Sequence, residues 1–145
     1  MTTANGGRTL EDLSIGETVE RTFAVGEADI AAFAEVSHDH NPVHLDEAYA
    51  ATTAFKGRIA HGMLTAAYIS AVLGTDLPGP GAVYVSQSLR FKRPVRIGDT
   101  VTVRVGVSAI EPRTGVITMS TACVVNGKTV LDGEALVMVP RQKAA

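Results

Sequence analysis

The sequence predicts an α+β domain in which an antiparallel sheet wraps a long buried helix, and three observations carry that reading. In "HGMLTAAYISAVLG" the apolar residues Met63, Leu64, Ala66, Ala67, Ile69, Ala71, Val72 and Leu73 fall on every side of a helical projection, interrupted only by Thr65, Tyr68 and Ser70. A helix that is apolar all round is a buried one. Beyond "TDLPGPG", a turn-rich connection, the pattern changes to period two and stays there, as expected of strands with one buried face. Finally, Asn126-Gly127 separates "ITMSTACVV" from "TVLDGEALVMV", and Asn-Gly between alternating runs is a strong hairpin signal.

Taken in order, "MTTANGGRT" is small and polar and reads as a loose arm over residues 1–10 of a single domain spanning 1–145. "ETVERTF" is the first strand. "GEADIAAFAEVS" is a helix with Ile30, Phe33, Ala34 and Ser37 at helical spacing, and with Glu27 and Asp29 at its favourable N-terminal end. It must stop before Asn41-Pro42, because the residue preceding a proline is pushed out of the helical region. A short alanine-rich helix follows at "LDEAYAATTA", then the buried helix, with Gly74 suited to the left-handed residue that ends many helices. In "AVYVSQSLRFK", Val83, Val85, Gln87, Leu89 and Phe91 share one face, and Val101, Val103, Val105 and Val107 share one face of the next strand. The sheet needs a cover and the helix a surround. Wrapping one around the other satisfies both, which is the hot-dog arrangement.

Composition narrows the function. The chain has 145 residues, 46% hydrophobic and 19% charged, with a net charge of −2. Nothing there offers the basic face that nucleic acid or an anionic membrane demands. One cysteine, Cys123, excludes an internal disulfide and fits a reducing cytoplasm. No run reaches the ~18 apolar residues of a membrane span.

Chemistry concentrates in "SHDHNPVHLDE", Ser37 to Glu47, which holds three histidines and three acidic residues. His38, His40 and His44 with Asp39 resemble a metal-ligand cluster, but the chain has only one further histidine, His61, and a catalytic zinc needs three scaffolded ligands. No metal is therefore assigned, and His38 and His40 read as solvated loop residues. Asp39 and His44 are five apart with Pro42 between them, so only a fixed loop can bring them together. Asn41 can bond nearby backbone and Pro42 restricts the chain, so the loop is suited to stiffness. A carboxylate and an imidazole on one loop can hold a water, one taking a proton while the other returns one.

The stretch "SHDHNPVHLDEAYA" resembles the signature of the MaoC-like (R)-specific enoyl-CoA hydratases. The resemblance extends over "FKGRIAHGMLTAAYISAVLG", "SQSLRFKRPVRIGDTV" and "GEALVMV", covering about Glu17 to Val139. It implies a hot-dog fold and addition of water to a trans-2-enoyl thioester of coenzyme A, giving the (R)-3-hydroxyacyl product without metal or cofactor. It also implies that Asp39 and His44 hold the attacking water, that the Gly62 N–H binds the thioester oxygen, and that Ser70 assists. The buried helix independently places Gly62 at its N terminus, where free N–H groups favour negative charge. Ser70 has an alternative reading, a hydroxyl bonding back to a helix carbonyl. His61 reads as a helix-start residue beside the substrate rather than a base.

Gln87, if inward, needs partners and is expected either to bond the Asn41 loop or to line the acyl site, unless a β-bulge turns it outward. Arg90 and Lys92, with Arg93 and Arg96, form a basic patch suited to the phosphates of coenzyme A. Leu73, one turn beyond Ser70, is expected to close the acyl pocket and limit it to about four to six carbons. Long sheet edges and similar hydratases both point to a homodimer. Other functions fit the same fold: a carrier-protein (acyl-ACP) dehydratase, an acyl-CoA thioesterase, or a non-catalytic thioester-binding subunit. The Asp-x-Asn-Pro-x-His arrangement favours hydration.

Overall fold

The computed structural model of the chain describes residues 6–142. Six antiparallel strands form one sheet in the order β1-β4-β5-β6-β2, with β3 also paired to β6. The strands are β1 (Thr18–Ala24), β2 (Val83–Gln87), β3 (Arg90–Phe91), β4 (Thr100–Glu111), β5 (Val116–Val125) and β6 (Lys128–Met138). The helices are α1 (Glu27–Ser37), α2 (Pro42–Leu45), α3 (Glu47–Ala50) and α4 (Gly62–Thr75). The hot-dog arrangement is present: α4 packs on β4 and β5, and Val101, Val103, Val105 and Val107 are buried against it as period two requires. Asn126 and Gly127 have φ of 50° and 77°, the two positive values a type I′ hairpin turn needs. Among the described residues no helix is long and apolar enough to cross a membrane.

Four expectations are corrected. Gly7 to Leu10 are not a loose arm. Thr9 and Leu10 are buried, the Arg8 and Leu10 amides donate to the Pro78 and Pro140 carbonyls at 3.1 and 2.8 Å, and a Cβ on Gly7 would stand 1.7 Å from the Pro80 oxygen. Leu10 and Leu13 anchor this segment in the core, which a polar average over the segment conceals. Residues 1–5 lie outside the described residues. Second, the alanine-rich helix is reduced to Glu47–Ala50, and Pro42–Leu45 forms a separate turn of helix capped by the Asn41 side chain. Third, α4 runs through Gly74 to Thr75, so Gly74 is not its left-handed terminus.

The fourth correction concerns burial. Met63, Ala67, Ser70 and Gly74, spaced four, three and four residues apart, are exposed along one side of α4. Of the strand residues expected to point inward, Val83 and Val85 of β2 are open too, 62% and 53% exposed, whereas Leu89 packs against the core. Apolar composition therefore marks both a core face and an uncovered one. Only the core face is held within the chain. Ile69, fully buried in it, sets a test: Ile69→Ala is expected to lower the unfolding free energy by about 2–5 kcal/mol, against no more than about 0.5 kcal/mol for exposed Val36→Ala. Urea denaturation followed by circular dichroism reads both.

Candidate active site

The site is assembled where α1 stops. The Gly26 amide donates to the Asp29 carboxylate at 2.8 Å and starts the helix; His38, at φ 64°, ends it in the left-handed region. A chain of local bonds then stiffens the loop. The Asp39 N–H donates to Ser37 Oγ at 3.2 Å, the Asn41 N–H to Asp39 Oδ1 at 3.1 Å, and the Val43 N–H to Asn41 Oδ1 at 3.1 Å. With Oδ1 so engaged, Asp39 keeps Oδ2 for a ligand. Pro42 opens α2, a position where its missing N–H costs nothing, and α2 carries His44 inward, where it is buried.

His44 Nδ1 lies 2.8 Å from the Ile59 carbonyl. A carbonyl only accepts, so Nδ1 carries the proton and Nε2 of the neutral ring is an acceptor. Burial is the main cause that pushes the His44 pKa below its usual 6.5; the Ile59 bond and the Asp39 charge oppose that shift, and nearby His61 adds to it. The segment presenting Ile59 is itself tied down. The Ile59 N–H donates to the Val43 carbonyl at 3.2 Å, Arg58 Nε to the His44 carbonyl at 2.7 Å, and the Arg58 guanidinium pairs with Glu27 at 2.7 Å.

Asp39 and His44 open onto a cavity of about 480 Å³, within the range that small-molecule sites occupy. His61, Gly62, Met63 and Thr65 of the α4 N-terminal turn line it, with Phe91, Lys92, Arg93, Val130 and Leu131 from the sheet side. As the first residue of α4, Gly62 has an N–H with no acceptor inside the helix. A Cβ there would come within 2.7 Å of the Phe91 ring, so glycine is what lets the aromatic close over the helix start.

Among the described residues, Asp39, His44 and His61 form a group with ligand atoms within 4.8 Å of one another. Proximity alone does not make it a metal centre. The two imidazoles lie with centroids 4.0 Å apart, and one nitrogen of each, His44 Nδ1 and His61 Nε2, is already engaged with a backbone carbonyl. The spacing does suit a water, since two acceptors bridged by one water stand about 4.5 Å apart.

Residues 11–129 match the family model for the MaoC like domain. The chain belongs to the MaoC-like family. Its relatives include an (R)-specific enoyl-CoA hydratase of Rhodospirillum rubrum, 57% identical over 90% of each chain. A 3-hydroxybutyryl-CoA dehydratase of Methylorubrum extorquens is 51% identical over 93% of this chain and 86% of the relative. Among solved structures, the unliganded R-hydratase PhaJ1 from Pseudomonas aeruginosa superposes with a TM-score of 0.87 at 47% identity, covering 94% of this chain and 91% of that one.

Of the residues singled out in this MaoC-like sequence, Asp39, His44, His61, Gly62 and Lys92 meet at the cavity. Asn41 does not line it and serves as the loop's internal brace. Ser70 sits on the exposed side of α4, two turns beyond Met63, and does not line the cavity. Leu73 is 2% exposed, packed in the core; Thr65, Val95, Val130 and Leu131 line the cavity in its place. Gln87 does not reach the Asn41 loop. It does point inward, paired across the sheet with fully buried Ala135: its amide donates to buried Thr121 Oγ1 at 3.0 Å and to the Ser88 carbonyl at 2.9 Å, and its Oε1 accepts from the Tyr84 hydroxyl at 2.8 Å. Arg90 borders a separate depression with Ser88, Asp132 and Glu134, which Lys92 also touches. Arg96 holds the Phe55 carbonyl at 2.6 Å. Alternation alone placed Phe91 with the strand's apolar face and gave no sign of its contact with Gly62, and the Ile59 carbonyl has no side-chain signal at all.

The depressed pKa has a direct consequence. An NMR titration of the His44 ring protons is expected to show a midpoint below 6.5, with the ring neutral at pH 7, because burial opposes the imidazolium. A midpoint above 6.5 contradicts the environment described.

Proposed function

We propose that this chain is an (R)-specific enoyl-CoA hydratase, adding water reversibly to a trans-2-enoyl-CoA to give the (R)-3-hydroxyacyl-CoA. The observation that carries the reading is the meeting of Asp39 and His44 at one cavity wall, beside the open N–H of Gly62. The R. rubrum relative, named for that activity, supports it.

In this mechanism the water donates its two hydrogens to Asp39 Oδ2 and His44 Nε2, which aims an oxygen lone pair at Cβ. The Gly62 N–H, backed by the positive end of α4, polarises the thioester carbonyl and stabilises the enolate-like charge that develops on it. As the water oxygen bonds to Cβ, one of its protons passes to the pair; the pair then returns a proton to Cα, and the net change is addition of H₂O. His44 enters neutral, with Nε2 ready to accept. No metal or redox cofactor has a part in these steps.

The substrate assignment rests on the walls. Lys92 and Arg93 stand at the cavity, suited to coenzyme A phosphates, although Lys92 also pairs with Asp132 at 2.8 Å. Thr65, Val130 and Leu131, not Leu73, bound the acyl end, and branched side chains there favour a short chain of about four to six carbons. The relative named for 3-hydroxybutyryl-CoA agrees with that length.

The protein is proposed to be a cytoplasmic homodimer. Uncovered Val83 and Val85 on the edge strand β2 are what a second copy would bury. Cys123 is the single thiol of the sequence, and burial pushes it up to about 12, in keeping with a structural role in a reducing compartment. Light scattering at micromolar concentration is expected to give twice the chain mass; a monomer with full activity removes the claim.

Asp39→Asn and His44→Ala are each expected to lower crotonyl-CoA hydration by about 10²–10⁴-fold, and the double variant by much less than the product. The assay follows loss of the conjugated thioester absorbance. A folded single variant within a few-fold of wild type overturns the assignment. Exhaustive chelation is expected to leave the rate unchanged, and loss restored by zinc would reinstate the metal reading.

A further inference from the structure

We infer that His61 is a positioning residue for the reaction: its side chain fixes the peptide of Asp39 relative to the start of α4. The inference rests on the hydratase reading above and deepens it.

His61 is 1% exposed, yet its ring borders the cavity. It is held between two other rings, with centroids 4.0 Å from His44 and 5.0 Å from Phe33. Its Nε2 lies 3.0 Å from the Asp39 carbonyl, so Nε2 carries the proton and donates. Nδ1 is then left buried with no partner. A buried acceptor without a hydrogen bond is costly, and an apolar ring of the same size would fill the space without that cost. The imidazole is therefore poorly explained as packing. What it supplies that Phe cannot is one N–H aimed at the backbone of Asp39.

That bond has no substitute. From Glu35 to Pro42 every residue is exposed, so no buried side chain anchors the stretch. Among the described residues, the other hydrogen bonds of Asp39 are to Ser37 and from Asn41, inside the same loop. Among the described residues, His61 alone reaches Asp39 from a different element. The restraints on His44 come through Arg58 and Ile59 and leave Asp39 free to swing. Through its backbone, meanwhile, His61 caps α4, accepting from the Leu64 and Thr65 amides at 3.1 and 3.5 Å. One residue thus ties the carboxylate that holds the water to the helix start that holds the thioester oxygen. A carboxylate displaced by about 1 Å loses on the order of 10²-fold in rate.

The test compares variants that separate the donor from the ring. His61→Phe keeps volume and stacking and removes the donor. His61→Gln restores a donor nitrogen the same number of bonds from Cβ and removes the ring. On crotonyl-CoA, His61→Phe is expected to lower kcat by about 10- to 100-fold with KM little changed and melting temperature equal to or above wild type. His61→Gln is expected to recover kcat to within about five-fold of wild type despite lower stability. Should the Phe variant not fold, the smaller donor-free His61→Leu takes its place. A donor-free variant with kcat within two-fold of wild type overturns the inference, as does a Gln variant as slow as Phe. Wild type and Asp39→Asn assayed alongside separate the levels: a wild type that does not hydrate crotonyl-CoA sinks the hydratase reading, an active Asp39→Asn sinks the water-holding role of Asp39, and its loss together with an unaffected His61→Phe sinks only the role of His61.

Discussion

Ile59 offers its carbonyl to His44 Nδ1 at 2.8 Å, and much of the site's chemistry descends from that contact. It fixes the tautomer, leaves Nε2 as the acceptor, and holds the ring while burial keeps it neutral. The contact is available only because the chain from Arg58 to Ala60 is pinned on two sides. The Ile59 amide returns to the Val43 carbonyl, and the Ala60 amide donates to Val95 at 2.7 Å. The turn of His44 and the segment leading into α4 are thereby one connected unit, and the His61 ring joins the loop of Asp39 to it.

The fold's part is to present the N terminus of α4 to that unit. Ile69, Val72 and Leu73 lock the helix into the core formed by Val101, Val103, Val105 and Met119. Polar backbone at the helix start is then offered to a cavity whose other walls, from Val95 to Leu131, are largely apolar. A developing negative charge placed there meets an N–H already oriented by the helix, which is what makes such a donor effective. Gly62 permits the close approach of Phe91 that narrows this space.

Sequence and structure agree most where a local rule acts alone. Asn126-Gly127 requires nothing beyond its own backbone, and the valines of β4 reveal their face through period two. The Asp39–Pro42–His44 spacing could be read as a loop pair because proline forbids the helical alternative. Errors arose where a residue's role depends on elements distant in the chain. Apolarity on all sides of α4 did not distinguish the face covered by β4 and β5 from the face carrying Met63 and Ala67. Strand alternation places Gln87 inward, where it bonds buried Thr121, but misplaces Val83 and Val85, which lie at or before the register shift between Tyr84 and Ser86 and are exposed. The place of His61 before Gly62 indicates only a helix start, whereas its side-chain partners, Asp39, His44 and Phe33, all belong to earlier segments. Leu10 was averaged into a polar segment, although its own burial sets that segment's position.

The most direct test of water addition is the fate of isotopic oxygen. The protein is incubated with crotonyl-CoA in H₂¹⁸O and the products are analysed by mass spectrometry with chiral separation. Hydration by the Asp39–His44 pair predicts intact (R)-3-hydroxybutyryl-CoA carrying the label in its hydroxyl group, an unlabelled thioester carbonyl and no free coenzyme A. Label in a released carboxylate together with free thiol would identify a thioesterase and contradict the mechanism, and unchanged crotonyl-CoA would contradict catalysis of hydration altogether.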